Sequence, residues 1–158
     1  MKIVNFAEKN SELNRFVAEI RDIHIQQDRL RFRKNLERIG EVMSYEISKD
    51  FRYSEKLVTT PLGTARVNTA DDKIVIGTIL RAGIPYHQGF LNYFDQAENA
   101  FVSAYRKYKD KLNFEIFIEY IASPRIDGKI LILTDPMLAT GGSMELSYRA
   151  LLAKGEPE

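Results

Sequence analysis

Residues 130–143 run Ile-Leu-Ile-Leu-Thr-Asp-Pro-Met-Leu-Ala-Thr-Gly-Gly-Ser. An apolar strand ends there in an acid, a short turn follows, and Thr140-Gly141-Gly142-Ser143 opens a helical pattern. Two adjacent glycines permit a tight turn and close ligand approach, so successive backbone N–H groups can converge on an anion at the positive end of the helix. Thr140 and Ser143 add hydroxyl donors. Asp135, at the carboxyl end of the strand, can accept from vicinal sugar hydroxyls, and open α/β sheets bind ligands at such strand ends. The spacing is neither the G-x-G-x-x-G of a dinucleotide site nor a Walker loop, which needs Gly-Lys-Ser/Thr. The chemistry that fits is recognition of a single ribose phosphate. Taken alone, residues 140–143 fit equally well a plain strand-to-helix turn in which Ser143 caps the helix.

Such a loop needs a sheet to carry it. Four apolar segments, at 74–80, 100–105, 114–122 and 130–134, are rich in Ile and Val with little alternation, which favours strands covered on both faces. Helical patterns at 86–94 and 142–154 separate some of them, so βαβ units and a parallel sheet are expected. The link at 106–113 is too short for a crossover helix and predicts a loop or hairpin. Upstream, Leu13, Phe16, Val17 and Ile20 mark one helix face, which Ser11 or Asn10 can cap. Phe32, Leu36, Ile39, Met43 and Ile47 mark a second helix over 28–48. Residues 57–60 and 64–67 flank Pro61-Leu62-Gly63 and predict a hairpin standing off the main sheet.

Four cations, Arg29, Arg31, Arg33 and Lys34, crowd the start of the second helix. They read as a solvated face paired with Glu37, Arg38 and Glu41 at i, i+4 spacing, with a subunit contact or an anionic effector site as the alternative. His24 and His87 have no metal-ligand spacing and read as surface or packing residues.

Composition narrows the classes. With 158 residues, the chain fits one globular domain. Hydrophobic residues at 44% and charged residues at 28% disfavour disorder. The net charge of +1 gives no bulk footprint for nucleic acid or an anionic membrane. The absence of Cys excludes disulfides, thiolate metal sites and Cys nucleophiles. No signal core or membrane-length apolar run occurs, so the cytoplasm is the expected compartment.

Read with the residues before it, the string Asp135-Pro136-Met137-Leu138-Ala139-Thr140-Gly141-Gly142-Ser143 closely resembles the 5-phosphoribosyl-1-pyrophosphate (PRPP) motif of type I phosphoribosyltransferases. Pro136, where most of the superfamily carries a second acid, is similar to the uracil phosphoribosyltransferase family in particular. Ile79-Leu80-Arg81-Ala82-Gly83 resembles that family's pyrophosphate loop, in which Arg81 would reach the diphosphate and Gly83 would permit an unusual backbone conformation. Ser103-Ala104-Tyr105-Arg106 resembles its strand-end Tyr-Arg, with Arg106 as a second diphosphate contact. Either arginine alone would read as a surface salt-bridge residue. Three such loops at successive strand ends argue together for a PRPP site. Residues 38–46 and 60–63 look like the family's helix and hairpin arm, so the resemblance runs from Arg21 onward.

The resemblance implies a mainly parallel, twisted α/β sheet flanked by helices, divided into N-terminal helices (1–50), a hairpin arm (51–70) and a PRPP-binding core (71–158) that is C-terminally incomplete. It implies conversion of uracil and PRPP to UMP and diphosphate, with Asp135 and Arg106 catalytic. It also implies Mg²⁺ carried on the diphosphate without a protein cage, a homo-oligomer and room for a GTP effector. Nucleic acid and membrane are not expected partners. Three departures stand out. Lys107 follows Tyr105-Arg106 where an acid or amide is usual. Thr134 replaces an aliphatic residue, which is expected to matter little. Nothing after Lys154 matches the family's uracil-recognition loop. The alternatives are an RNA-binding regulator of the attenuator type, against which Pro136 and the charge speak, and a truncated PRPP-binding form without activity.

Overall fold

The computed structural model describes residues 2–108 and 114–158, with side chains placed at 2–104 and 118–158. Two helices come first, α1 (Leu13–Arg21) and α2 (Arg29–Ser48). Asp28 caps α2 by accepting from the amides of Leu30 and Arg31. The expected cap of α1 is not made: the chain enters that helix through Glu12 in helical geometry, with no side-chain capping bond from Ser11 or Asn10. Two of the four cations at the start of α2, Arg31 and Lys34, are paired, but not at the expected spacing. Lys34 meets Glu37 one turn on, at i, i+3, and Arg31 reaches across to Glu19 on α1 and back to Asp28.

A hairpin follows, β1 (Tyr53–Thr60) and β2 (Gly63–Ala70), paired antiparallel in a sheet of its own. It is longer than its sequence signal because its outer residues, such as Tyr53 and Ala70, are exposed and leave no apolar alternation to read. The main sheet contains β3 (Ile74–Leu80), β4 (Glu98–Tyr108), β5 (Phe114–Ala122) and β6 (Ile130–Thr134), in the spatial order β5-β4-β3-β6. β3 runs parallel to both neighbours, while β4 and β5 form the expected antiparallel pair, with a register irregularity at Ser103/Ala104. Helix α3 (Ile84–Leu91) follows β3, and α4 (Gly142–Leu151) follows β6.

The sheet is packed on both faces, as its continuous apolar strands require. On one side Leu13, Leu36, Ile39, Tyr86 and Phe90, from the three earlier helices, pack on Ile76 and Ile132. On the other, Val75, Ala100 and Val102 meet Leu151 of α4 and Ile126. The side chains of one strand thus alternate between two cores, and the carboxyl ends of β3 and β6 emerge between them as adjacent loops. Residues 154–158 run beside 126–129 through three backbone hydrogen bonds of 3.0–3.2 Å, and Glu158 is held by Arg52, which also grips Asp72.

Candidate functional site

The ladder between β3 and β6 ends at the pair Thr78↔Thr134. Beyond it, one strand gives way to Arg81-Ala82-Gly83 and the other to the run from Asp135 to Gly141. The parallel pairing places these two sequence-predicted loops side by side.

The loop after β6 is built from its own backbone. The Asp135 Oδ1 accepts from the Met137 amide at 3.2 Å, which turns the chain immediately after the strand. Gly141, at φ +80°, occupies the left-handed region, and α4 starts from it with the Glu145 amide donating to its carbonyl at 2.9 Å. Ser143 makes no capping bond, so the plain-turn reading fails in its proposed cap. The first-turn amides of α4 have no partners within the helix, and the Gly142 amide makes a long bond of 3.5 Å to Thr140 Oγ1. A concavity of about 20 Å³ is lined by Asp135 and residues 137–144. Its walls are the string read from the sequence as a phosphate cradle. Met137 and Leu138 stand exposed at its rim, at 72% and 69%.

Asp135 leaves an electrostatic trace on its surroundings. Tyr86 lies buried nearby, and burial first, with the Asp135 carboxylate second, pushes its hydroxyl up to about 12. The phenol is therefore neutral, and it donates to the sulfur of Met43.

The loop after β3 is built by packing. Arg81 and Ala82 are exposed, and Gly83 is buried. The Leu80–Arg81 peptide is cis. Gly83 itself has ordinary helical geometry, φ −68° and ψ −16°, so the expectation of an unusual conformation at this residue is corrected. Its glycine identity answers to space: a Cβ there would lie 2.6 Å from both the Ile79 carbonyl oxygen and the Thr78 methyl carbon. Among the described residues, Arg81 forms no ion pair, which leaves its guanidinium available to an anion.

The two loops share a wall. Arg81, Ala82, Ile84 and Pro85 on one side, and Pro136 and Met137 on the other, line an apolar cavity of about 390 Å³ closed by Phe32, Arg33 and Leu36 of α2. Met137 belongs to both this cavity and the phosphate concavity. Arg81 and the Asp135 loop are thus brought together. Arg106 and Lys107 lie on β4, outside the residues whose side chains are described, as does the rest of the basic run to Lys111.

Sequence reasoning missed a polar cluster beneath these loops. His87, read as a surface or packing residue, is 4% exposed and bonded through both ring nitrogens. Its partners are Thr78 and Asn99, and Thr78 is bonded in turn to Thr134. No local motif marks these residues. The only signal was the run of hydroxyls, Thr78 and Thr134, inside otherwise apolar strands.

Comparison with known proteins agrees with this geometry. A family model described as uracil phosphoribosyltransferase matches residues 7–158. The chain is 64% identical over all 158 residues to a uracil phosphoribosyltransferase of Porphyromonas gingivalis, of which it covers 73%. It is 42% identical over 128 residues to one from Methanothermobacter thermautotrophicus, covering 80% of this chain and 59% of that one. Among solved structures, the AQ2163 protein from Aquifex aeolicus superposes with a TM-score of 0.79 at 33% identity, over 92% of this chain and 68% of that one. A hypoxanthine phosphoribosyltransferase from Staphylococcus aureus shares the fold at 14% identity, with a TM-score of 0.52 over 77% of this chain and 58% of its own.

Proposed function

We propose that this chain, which belongs to the uracil phosphoribosyltransferase family, transfers the ribose 5-phosphate of PRPP to N1 of uracil, giving UMP and diphosphate. The observation that carries the reading is the juxtaposition, on neighbouring strand ends, of a helix start beside an acid and an exposed arginine that forms no ion pair among the described residues.

The bond from C1′ to the diphosphate oxygen breaks and the bond from C1′ to N1 forms, the N1 proton leaving to the diphosphate or to water, with positive charge developing on the sugar between the two bond changes. Binding that strengthens as this charge develops is what accelerates the step. The amides of residues 139–143, with the Thr140 and Ser143 hydroxyls, would hold the 5′-phosphate. Asp135 would accept from the ribose hydroxyls and keep the sugar face oriented. Arg81, and Arg106 from β4, would take up charge on the departing diphosphate. Among the described residues, no group of three His, Asp or Glu could cage a metal. Mg²⁺ would arrive with the diphosphate, as suits a hard ion that dehydrates reluctantly, and would neutralise diphosphate charge.

Among the described residues no helix is long and apolar enough to cross a membrane. The hairpin supports a homo-oligomer: Leu57, Leu62 and Val67 are 70%, 101% and 42% exposed, and a two-stranded sheet is marginal alone, so a second copy covering it is the natural complement. A GTP effector would find cations at Arg29 and Arg33, which form no ion pair among the described residues. The RNA-binding alternative gains nothing from the family and relatives matched.

The test is PRPP-dependent UMP formation by the wild-type chain and by Asp135→Asn and Arg81→Ala. Charge-assisted hydrogen bonds contribute about 1.5–3 kcal/mol, so each variant is expected to lose about one to two orders of magnitude in kcat/KM for PRPP. Full kcat/KM in either one would remove that residue from the mechanism.

A further inference from the structure

Two hydroxyls sit at the last rung shared by the strands that carry the site. Thr78 and Thr134 are register partners at the end of the β3–β6 ladder, 0% and 2% exposed, and their Oγ1 atoms are 2.8 Å apart. Thr78 Oγ1 also bonds the Nδ1 of His87, on α3, and the Nε2 of His87 lies 2.6 Å from the Asn99 Oδ1 on β4. The direction of the chain follows from chemistry. A carboxamide oxygen only accepts, so Nε2 carries a proton. In a neutral ring Nδ1 must then accept and the Thr78 hydroxyl donates to it, so the proton of the Thr134 hydroxyl is shared between Thr78 Oγ1 at 2.8 Å and the Gly77 carbonyl oxygen at 3.2 Å, the shorter contact being the one to Thr78. Burial favours that neutral ring by holding His87 below its ordinary range. One directed chain therefore runs Thr134, Thr78, His87, Asn99, through four elements.

The backbone ladder already pairs these strands, so the hydroxyls are not needed for pairing. What they fix is orientation. A threonine with its hydroxyl engaged has its methyl direction set, and the Thr78 methyl lies against Gly83, where an added Cβ would be 2.6 Å from it. The His87 amide donates to the Gly83 carbonyl at 2.8 Å, closing the loop from its other side. At the far end, Thr134 is followed directly by Asp135.

Resting on the function proposed above, we infer that Thr134 is a positioning residue: its hydroxyl, acting through Thr78 and His87, locks the strand end that presents Asp135 to the loop that presents Arg81. The sequence expectation that a change at this position matters little is the opposite prediction. Thr134→Val keeps the shape and removes only the donor.

Three measurements decide it. Thr134→Val is expected to lower kcat/KM for PRPP about tenfold with KM for uracil unchanged, and Thr134→Ser to restore it. In a Thr78→Val background the same change is expected to add less than twofold, because the chain is already cut. The ring-nitrogen NMR resonances of His87 are expected to move in Thr134→Val, although the two residues meet only through Thr78. PRPP affinity by calorimetry is read on the same proteins, so the comparison stands even for a wild-type chain that forms no UMP. Wild-type kcat/KM and PRPP affinity in Thr134→Val, equal losses with and without Thr78, or an unmoved His87 resonance each overturn the inference. A wild-type chain that neither forms UMP nor binds PRPP overturns the function and this inference together, whereas one that binds PRPP without forming UMP defeats the function alone.

Discussion

Residues 81–83 turn out of β3 across packed atoms, whereas residues 135–141 turn out of β6 beside solvent. Beneath the first, Thr78, His87 and Ile79 press on Gly83 from three sides. Around Gly141 in the second, the nearest atom to an added Cβ is a Leu138 side-chain carbon at 3.9 Å. Both loops contain glycine, but one needs it for room and the other for backbone shape. The molecule thus joins a clamped loop, which sets where Arg81 stands, to an open loop, whose residues 137–140 are exposed.

The comparison can be broken first at Gly83. Gly83→Ala places a Cβ inside two contacts of 2.6 Å, and relief requires backbone movement. The expected cost is about 2–4 kcal/mol, read as a fall in Tm of about 10 °C. A smaller effect is expected at Gly141→Ala, which meets no clash and is strained only by φ +80°, at about 1–2 kcal/mol. The two are told apart by Asn, which tolerates the left-handed region: Gly141→Asn should recover much of the loss in a denaturant titration, and Gly83→Asn none. Recovery at both positions, or at neither, would erase the distinction.

The smallest expected effect concerns pH. His87 is held below its ordinary 6.5, chiefly by burial. The unfolded chain then binds a proton that the folded chain refuses, so the contribution of His87 is present above about 6.5 and is lost as pH falls from there through the lower folded value. Thermal unfolding between pH 7.5 and 5 should show a loss of stability that His87→Gln largely removes, while a change at His24, which is exposed, leaves it in place. An identical pH slope in His87→Gln would mean that the ring is not clamped in its neutral form.

Much of this was legible because it repeats with a period or sits in a short string. The limits of β3, β5 and β6 follow from apolar runs whose ends are marked by polar or turn residues. The antiparallel pairing of β4 with β5 followed from a linker too short for a crossover helix. The loop after β6 was visible because its acid, its glycines and its hydroxyls lie in nine consecutive residues. The contacts that hold the other loop were not visible, because Thr78, His87, Asn99 and Thr134 meet only in three dimensions and each has a plausible local explanation. The same holds for Arg31, which reaches Glu19 on α1: a partner distant in sequence joined the local one, Asp28.

The order of strands in the sheet has a consequence for the timing of assembly. Thr78 and Thr134 are 56 residues apart in the chain, yet they form the rung from which both loops spring. Local pieces such as the hairpin can close as they are made, but this rung waits for a long loop to close and for β6 to arrive after every other strand. During synthesis, which delivers roughly 5–20 residues per second, the arginine loop therefore exists for some seconds before the acid and the phosphate loop can join it. The site is the last part of the described sheet to exist, and its ligand can act only on a chain whose sheet has closed up to β6.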